Sequence, residues 1–321
     1  MSKKHKPLLE NKVFGHFVAI AFYVLLGYSL FIAASNMNYI WKWTSVPKYF
    51  AYEKTVAIEA PFDGTIKVDN RKIVIRGEDG PKTLDIPEKY KIIVDSGDEV
   101  YQNDNLATYQ TWTKGPLIDG LLVTLKISGM AVVIAFILAS ILAFMRISSF
   151  QFLKDIATLY IAVIRGTPLL VQIFIFYFII ATIFNLERFM AGAISLGLFY
   201  AAYIAEVLRG AIQSIDKGQY EAAKSLGMNY IQTMSSIIMP QAFKRALPTL
   251  VGEIIALVKD SSLVSVISIT DLTKVGREIV ANTFSPFETW LIVAAMYFTV
   301  TFALSVLGRK LENRMKTQGG M

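Results

Sequence analysis

The sequence predicts an all-α polytopic membrane protein of about six spans with a small inserted β-barrel or β-sandwich domain. Of its 321 residues 54% are apolar and 18% are charged, and the apolar ones outside residues 53–104 occur in long unbroken runs. Of 25 acidic and 32 basic residues, 12 and 8 lie in 53–104, so this block has a net charge of −4 and the remainder +11. The chain contains no cysteine, which excludes a disulfide scaffold and a zinc–cysteine site.

Six apolar stretches are long enough to cross a bilayer as helices, which takes about 20 predominantly apolar residues each. They are residues 13–35, 117–145, 156–184, 189–208, 247–269 and 290–307. The first follows several lysines, as a secretory signal does, but its apolar run is too long and Ser35-Asn36-Met37 is a poor cleavage site. We therefore interpret residues 13–35 as a retained span.

Basic residues cluster at one side of this six-span arrangement. They are Lys3, Lys4, Lys6, Lys12, Arg146, Lys154, the stretch 209–245, Arg309, Lys310, Arg314 and Lys316. Because cytoplasmic loops carry an excess of lysine and arginine, both termini are predicted in the cytoplasm. The polar residues 37–116 are then outside the cell membrane.

The polar block has the pattern of β structure. Alternating runs at 55–58, 72–75 and 91–95 are separated by turn formers, which predicts about six short strands. Residues 60–66 and 94–107 resemble about half of a biotinyl/lipoyl-like barrel-sandwich domain. No lysine stands where a prosthetic group would attach, so we expect a structural or docking module.

A polar segment between the fourth and fifth spans has its own helical pattern. Residues 219–226 predict a short amphipathic helix ended by Gly227, residues 230–238 predict a further helical turn, and Pro240 is expected to break the chain before the next span. The segment is too polar for lipid and too ordered for a linker. It is therefore a candidate docking site for a cytoplasmic partner.

This segment resembles the Glu-Ala-Ala loop that, in the permease subunits of bacterial ABC importers, inserts into a groove of the ATPase subunit. Met239 stands where leucine is usual, and the apolar bulk is kept. The resemblance implies a role in ATPase coupling for Glu221, Ala222, Ala223, Gly227, Ile237 and Pro240.

The resemblance extends over residues 120–314. Within this range the sequence is similar to the polar amino acid permeases (the histidine, glutamine, arginine and opine group). The segments that carry it are 165–172, 202–210 and 259–263. It implies a five-span permease core in a bacterial cell (inner) membrane and a polar amino acid as cargo. It also implies ATPase subunits that hold ATP and magnesium, a second permease copy or a homologous permease, and an extracellular or periplasmic binding protein.

The resemblance also divides the chain into four parts. Residues 1–36 are predicted to be a cytoplasmic N-terminus with an extra transmembrane helix, 37–116 the exterior β module, 117–314 the permease core and 315–321 a cytoplasmic tail. The first two parts are additions to the family pattern, which says nothing of their role.

Ionisable groups inside a membrane are costly and usually face a cavity or a partner. Arg165 lies roughly 20 Å along a helix that starts near Gln151, at 1.5 Å per residue. Thr167 suits an N-cap and Pro168 the first helical position, so the span is predicted to break at Gly166 and to restart as a half-helix with free N–H groups.

Such half-helix ends bind substrate carboxylates in transporters. We hypothesise that Thr167 and Gln172 bind the α-carboxylate of an amino acid and that Glu206 binds its ammonium group. The full set of candidate path residues is Arg165, Thr167, Gln172, Tyr203, Glu206, Lys259, Asp260 and Ser261.

Plainer interpretations stay open from the residues alone. Arg165 and Glu206 neutralise each other, or Lys259 and Asp260 do so. The break at residues 166–168 is in that case only a kink that aids helix packing.

Several functional classes are excluded or left as alternatives. The chain has no phosphate-binding loop motif, and its only histidines are His5 and His16, so we expect no enzyme activity, bound cofactor or metal. Nucleic acid is not an expected partner, whereas membrane lipid is. The alternatives are an ion-coupled secondary transporter or channel, and a membrane-anchored exterior binding or sensing protein. The transported amino acid and the choice between homodimer and heterodimer stay open.

Overall fold

The computed structural model describes residues 12–37, 39–78 and 80–317, which form two units divided between Trp43 and Thr44. The first unit contains helix α1 (Lys12–Ser35), which is long and apolar enough to cross a membrane. The indole rings of Trp41 and Trp43 follow it and stack with their centroids 5.8 Å apart. Exposed aromatic rings of this kind suit the membrane–water interface. The predictions for Lys3, Lys4, Lys6 and His5 lie outside the described residues.

The second unit begins with the polar block, in which the short helix α2 (Pro47–Phe50) precedes seven strands. The strands are β1 (Ala51–Glu59), β2 (Gly64–Asp69), β3 (Lys72–Gly77), β4 (Gly80–Asp85), β5 (Lys91–Ile92), β6 (Glu99–Val100) and β7 (Asn105–Lys114). One sheet has the order β1-β7-β5 and the other β4-β3-β2-β6. All pairings are antiparallel, and β1 and β7 pair from Ala51 opposite Lys114 to Glu59 opposite Asn105.

The sequence predicts a small barrel or sandwich, whereas the described strands form two open sheets. Strands β5 and β6 are only two residues long each, which is too short to carry a ladder from one sheet to the other. Ile73 and Ile75 of the second sheet are fully buried against Leu106 of the first, so one small apolar core serves both sheets.

The remaining helices follow in chain order. They are α3 (Pro116–Ile147), α4 (Gln151–Arg165), α5 (Leu169–Ile175) with a π-helical segment Phe176–Ala181, α6 (Arg188–Gln213), α7 (Lys217–Ser225), α8 (Tyr230–Gln232) with a π-helical segment Thr233–Ile238, α9 (Met239–Asp260) with a 3-10 segment Ser261–Ile267, α10 (Leu272–Thr283) and α11 (Pro286–Thr317).

The described helices α1, α3, α6 and α11 are each long and apolar enough to cross a membrane, and α4 with α5 forms a fifth candidate bent by 109°. The predicted span at 247–269 differs from these. Helix α9 ends at Asp260, carries Glu253 and Lys259, and is not among the described helices that are long and apolar enough to cross a membrane. Six apolar spans were predicted, and the described residues contain five at most.

Helices α3 and α6 pack closely through small residues spaced four apart on each helix. These residues are Ala131, Ala135, Ala139 and Ala143 on α3 and Ala193, Gly197, Ala201 and Ala205 on α6. Residues four apart lie on one helix face, and small side chains there let two backbones approach. A Cβ atom at Gly197 would lie 2.6 Å from Cγ2 of Ile134, so this contact leaves no room for a methyl group.

The two sheets are connected to the helices through α2 and the start of α3. Tyr49 of α2 is buried with Leu117 and Leu272, and its hydroxyl lies 3.4 Å from Oγ of Ser285. A Cβ atom at Gly115 would lie 2.2 Å from the carbonyl oxygen of Tyr49, which makes glycine necessary there. The strands therefore begin and end beside the start of α3.

Replacing Gly197 with alanine should lower the free energy of unfolding by ~1–3 kcal/mol, because the added methyl group overpacks the α3–α6 contact. Gly210→Ala on the same helix is the control, since a Cβ atom there meets nothing within 4 Å and alanine favours helix. Thermal unfolding of the purified variants in detergent measures both effects. Equal shifts for the two variants would show that the α3–α6 contact is not tightly packed.

Candidate functional site

The break predicted within the third apolar stretch is present, and its details differ by one residue. Helix α4 ends at Arg165 and α5 begins at Leu169. Thr167 is not the N-cap, because its hydroxyl donates to the carbonyl oxygen of Val163 at 2.9 Å. Pro168 takes the N-cap position, with φ −65° and ψ 136°. A residue before proline is disfavoured in helical geometry, so the helix restarts only after Pro168.

The side chain of Gln172 closes this break. Its amide nitrogen donates to the carbonyl oxygen of Ile164 at 2.7 Å, to the hydroxyl of Thr167 at 2.6 Å and to the carbonyl oxygen of Thr167 at 3.2 Å. Two of the predicted carboxylate-binding side chains are therefore bonded to each other. A substrate at this position has to compete with those contacts.

Glu206 lies between two arginines of α3 and α6. Its Oε1 accepts from Nε of Arg146 at 3.3 Å, and its Oε2 accepts from Nη2 of Arg209 at 2.7 Å. The Arg209 contact follows from their spacing of three residues on one helix, which puts both side chains on the same face. Arg146 also donates to the hydroxyl of Thr158 on α4.

The proposed neutralisation of Glu206 by Arg165 is not among these contacts. The guanidinium of Arg165 instead lies over the ring of Tyr203, 5.2 Å from its centroid. A cation above an aromatic face is held by the ring quadrupole and keeps its charge exposed to a third group. Arg165 therefore stays available as a cation beside Glu206 rather than paired with it.

These side chains line one cavity of about 360 Å³, which we call the central cavity. Three residues proposed from the sequence, Arg165, Tyr203 and Glu206, meet there. Arg146 and Thr158 complete its polar wall and were not proposed as path residues. Arg146 is a charged residue at the end of a predicted span. Because it lies in the last turn of that span, the sequence indicates only that it is one of the basic residues that orient the chain in the membrane.

The charges at the end of α9 form a second polar group. The hydroxyl of Tyr200 donates to Oδ2 of Asp260 at 2.6 Å, so this carboxylate is bonded to a phenol rather than to Lys259. Lys259 is exposed, and the hydroxyl of the buried Ser261 donates to the carbonyl oxygen of Val258 at 2.8 Å. Lys259 and Ser261 are therefore not brought into the central cavity.

Glu253 is a further charged residue of this group and is not among the candidates proposed from the sequence. This half-buried residue of α9 is close enough to interact electrostatically with both Arg165 and Tyr200. The rings of Tyr200 and Tyr203 lie 6.3 Å apart and join this group to the central cavity. Glu253 is a carboxylate within the predicted span 247–269. An ionisable residue inside a span indicates a functional role, so the sequence alone could have identified Glu253 as a candidate.

The arrangement provides cations and carboxylates a short distance apart with aromatic rings between them. Such a pattern complements a small solute that carries both charges. Within residues 12–37, 39–78 and 80–317 there is no group of three or more histidine, aspartate or glutamate side chains that could hold a metal ion.

The polar loop after α6 is ordered by its own caps. The carboxylate of Asp216 accepts from the backbone N–H of Gly218 at 2.6 Å at the start of α7, and Gly227 ends this turn with φ 76°. Asn229 and Gln232 form a reciprocal capping box at the start of α8. The predicted helix and its glycine stop are confirmed, within two residues of the predicted bounds.

The predicted chain break at Pro240 is wrong. Pro240 lies in the first turn of α9, where its missing N–H is not needed, and the π-helical segment leads directly into that helix. Ala223 and Ile238 are buried, whereas Leu226 and Ile231 are 81% and 75% exposed. The loop therefore holds one apolar face inward and leaves other apolar side chains exposed.

Comparison with known proteins covers the helical part of the chain. Residues 128–317 match the family model described as binding-protein-dependent transport system inner membrane component. The arginine transport system permease protein ArtQ of Bacillus subtilis is 36% identical over 203 residues, 63% of this chain and 93% of that protein. The glutamine transport system permease protein GlnP of Escherichia coli is 38% identical over 209 residues, 64% and 95% of the two chains.

Solved structures agree with these matches. A crystal structure of an amino acid ABC transporter with histidines is 42% identical with a TM-score of 0.58, covering 62% of this chain and 94% of that one. An inward-facing MetNI methionine ABC transporter shares the fold at 16% identity, with a TM-score of 0.55. The match covers 62% of this chain and 96% of that one.

Replacing Glu206 with glutamine should lower the free energy of unfolding by ~1–2 kcal/mol, because Arg146 and Arg209 then lose their shared counter-charge in a largely buried position. Glu278→Gln removes an ion pair with Lys274 whose carboxylate side is 52% exposed, and should cost less than ~0.5 kcal/mol. Thermal unfolding in detergent compares the two variants. If Glu278→Gln lowers the free energy of unfolding as much as Glu206→Gln does, then the ion pairs of Arg146 and Arg209 with Glu206 do not stabilise the fold.

Proposed function

Because this chain belongs to the family of binding-protein-dependent transport system inner membrane components, we propose that it forms the transmembrane path of an ATP-driven importer for a polar amino acid. The single observation that carries this proposal is the central cavity, where Arg165 and Glu206 offer opposite charges to one small solute beside the ring of Tyr203. The names of the relatives, which transport arginine or glutamine, support the same class of cargo. The chain is a transport subunit and not an enzyme.

The amino acid is proposed to bind with its two charged groups at opposite walls. Its carboxylate meets Arg165 and the half-helix end at Thr167 and Gln172, where free backbone N–H groups favour an anion. Its ammonium group meets Glu206, in competition with Arg146 and Arg209. Glu253 or Asp260 is proposed to meet the basic side chain of a cationic amino acid. Lys259 and Ser261 are left out of this assignment.

ATP hydrolysis on the partner ATPase is proposed to be coupled to transport through the loop from Glu221 to Pro240. Glu221 and Ala222 are exposed on α7, and the exposed apolar Leu226 and Ile231 suit a groove on an ATPase subunit that holds ATP and magnesium. A second copy of this chain or a homologous permease completes the membrane path. A binding protein delivers the amino acid from the exterior side, and both termini lie in the cytoplasm.

The parts that precede α3 are proposed as additions to this permease. In this proposal α1 crosses the membrane, residues 37–116 lie outside, residues 117–314 are the permease core and 315–321 are a cytoplasmic tail. The common core of the two sheets supports a small sandwich related to biotinyl/lipoyl-like domains. Its attachment beside α3 through Tyr49 suits a role in holding the delivery protein or shielding the outer mouth.

Reconstitution in vesicles tests the function. The chain is purified with its ATPase and binding protein, and uptake of labelled arginine, glutamine and histidine is measured with internal ATP or with an ion gradient alone. Uptake of at least one amino acid that requires ATP is the expected result. Uptake driven by the ion gradient without ATP would instead support the secondary-transporter alternative.

Replacing Gly227 with valine should abolish ATP hydrolysis stimulated by the loaded binding protein, because valine does not tolerate φ 76° and the end of α7 would shift. Gly227→Asn is the matched control, since asparagine adopts this conformation more readily and should keep most of the activity. ATPase assays on the assembled complex measure both variants. Normal stimulation of ATP hydrolysis in the Gly227→Val variant would exclude a role of this turn in coupling.

Replacing Thr167 with valine should raise the amino acid concentration for half-maximal uptake about tenfold, through loss of a hydroxyl contact to the carboxylate. Thr167→Ser keeps the hydroxyl and should stay close to the unmodified protein. Size-exclusion chromatography checks that each variant still assembles. Unchanged uptake by an assembled valine variant would exclude Thr167 from the binding site.

A further inference from the structure

A second cavity of about 330 Å³, which we call the inner cavity, lies where the ends of α3 and α6 face the polar loop. Its polar lining consists of Arg146, Lys154, Gln213, Tyr220 and Tyr230, and no acidic side chain lines it. The residues come from α3, α4, α6, α7 and α8, so the cavity lies between the membrane helices and the loop proposed to bind the ATPase.

Arg146 lines both the inner cavity and the central cavity. Its contact with Glu206 is a single bond of 3.3 Å, whereas Arg209 makes three contacts of 2.7–3.2 Å with the same carboxylate. Arg209 can therefore hold Glu206 while Arg146 turns away. Of the two arginines, Arg146 makes the weaker contact with Glu206, and it lines both cavities.

The chemistry of the inner cavity suits a carboxylate. Two cations, Arg146 and Lys154, face it, and Lys154 forms no salt bridge with any residue in the described part of the chain. The amide oxygen of Gln213 accepts from Arg209 at 2.6 Å, which leaves the amide NH₂ as a donor. Burial, with the neighbouring phenol of Tyr230, raises the pKa of Tyr220, so its hydroxyl stays protonated and able to donate.

We propose that the inner cavity is a second, cytoplasm-facing binding site for the α-carboxylate of the transported amino acid, with Arg146 shared between the two sites. This inference rests on the proposed function. An amino acid that moves from the central cavity to the inner cavity keeps a cationic partner for its carboxylate, because Arg146 lines both cavities. Accumulated amino acid in the cytoplasm also occupies the inner cavity and slows further import.

The experiment uses the complete transporter in vesicles whose interior corresponds to the cytoplasm. ATP-driven uptake of labelled arginine or histidine is measured while unlabelled arginine or histidine inside the vesicles is increased. Their decarboxylated analogues, agmatine and histamine, are used inside in parallel. The variants are Lys154→Gln, Lys154→Arg and, as a matched charge control away from the cavity, Lys310→Gln.

Internal amino acid should inhibit uptake by the unmodified transporter, and the decarboxylated analogues should not. Lys154→Gln should raise the half-inhibitory internal concentration about tenfold, the effect of one lost charge-assisted hydrogen bond. Lys154→Arg and Lys310→Gln should leave it unchanged.

Three results would overturn the inner site: no inhibition by internal amino acid, inhibition by agmatine or histamine as strong as by the amino acids, or an equal shift in Lys154→Gln and Lys310→Gln. Absence of any ATP-driven uptake by the unmodified transporter is a different result. It would contradict the proposed function itself.

Discussion

The close contact between α3 and α6 determines where the charged groups of this protein meet. Alanine and glycine at every fourth position let the two backbones approach, and Gly197 leaves no room for even one methyl group. The row of small residues ends at Ala143 on α3 and at Ala205 on α6, next to Arg146 and Glu206. Because the two helices are close there, the guanidinium of Arg146 comes within 3.3 Å of the Glu206 carboxylate. Wider spacing would separate that pair and open the wall between the two cavities.

Helix α9 links the polar loop to the far side of the central cavity. It follows the π-helical segment of the loop without a break and reaches Glu253, roughly 20 Å away at 1.5 Å per residue, before it ends at Asp260. A displacement of the loop by a bound ATPase would therefore move Glu253 and Asp260 relative to Arg165 and Tyr200. Pro240 is compatible with this continuity because it lies in the first turn of α9, whereas Pro248 lies inside the helix, between the loop and Glu253.

Local patterns predicted much of this structure. Five of the six apolar stretches, the glycine stop after α7 and the break after Arg165 all follow from interactions between residues close in sequence, and each is present. The partners of the charged residues were not predictable in the same way. Glu206 has one partner three residues away, but the other, Arg146, lies 60 residues distant and is brought there by helix packing. The open sheets and the role of Glu253 likewise depend on tertiary contacts, which hydrophobic periodicity does not report.

A structure of the complete transporter, determined by electron cryomicroscopy with its amino acid bound, shows whether the cavity organised by the α3–α6 contact is the amino acid path. We expect density for one amino acid between Arg165, Tyr203 and Glu206, with its carboxylate toward Arg165 and its ammonium group toward Glu206. An amino acid bound elsewhere in the permease, with the Arg146–Glu206–Arg209 contacts closed around an empty cavity, would contradict this path.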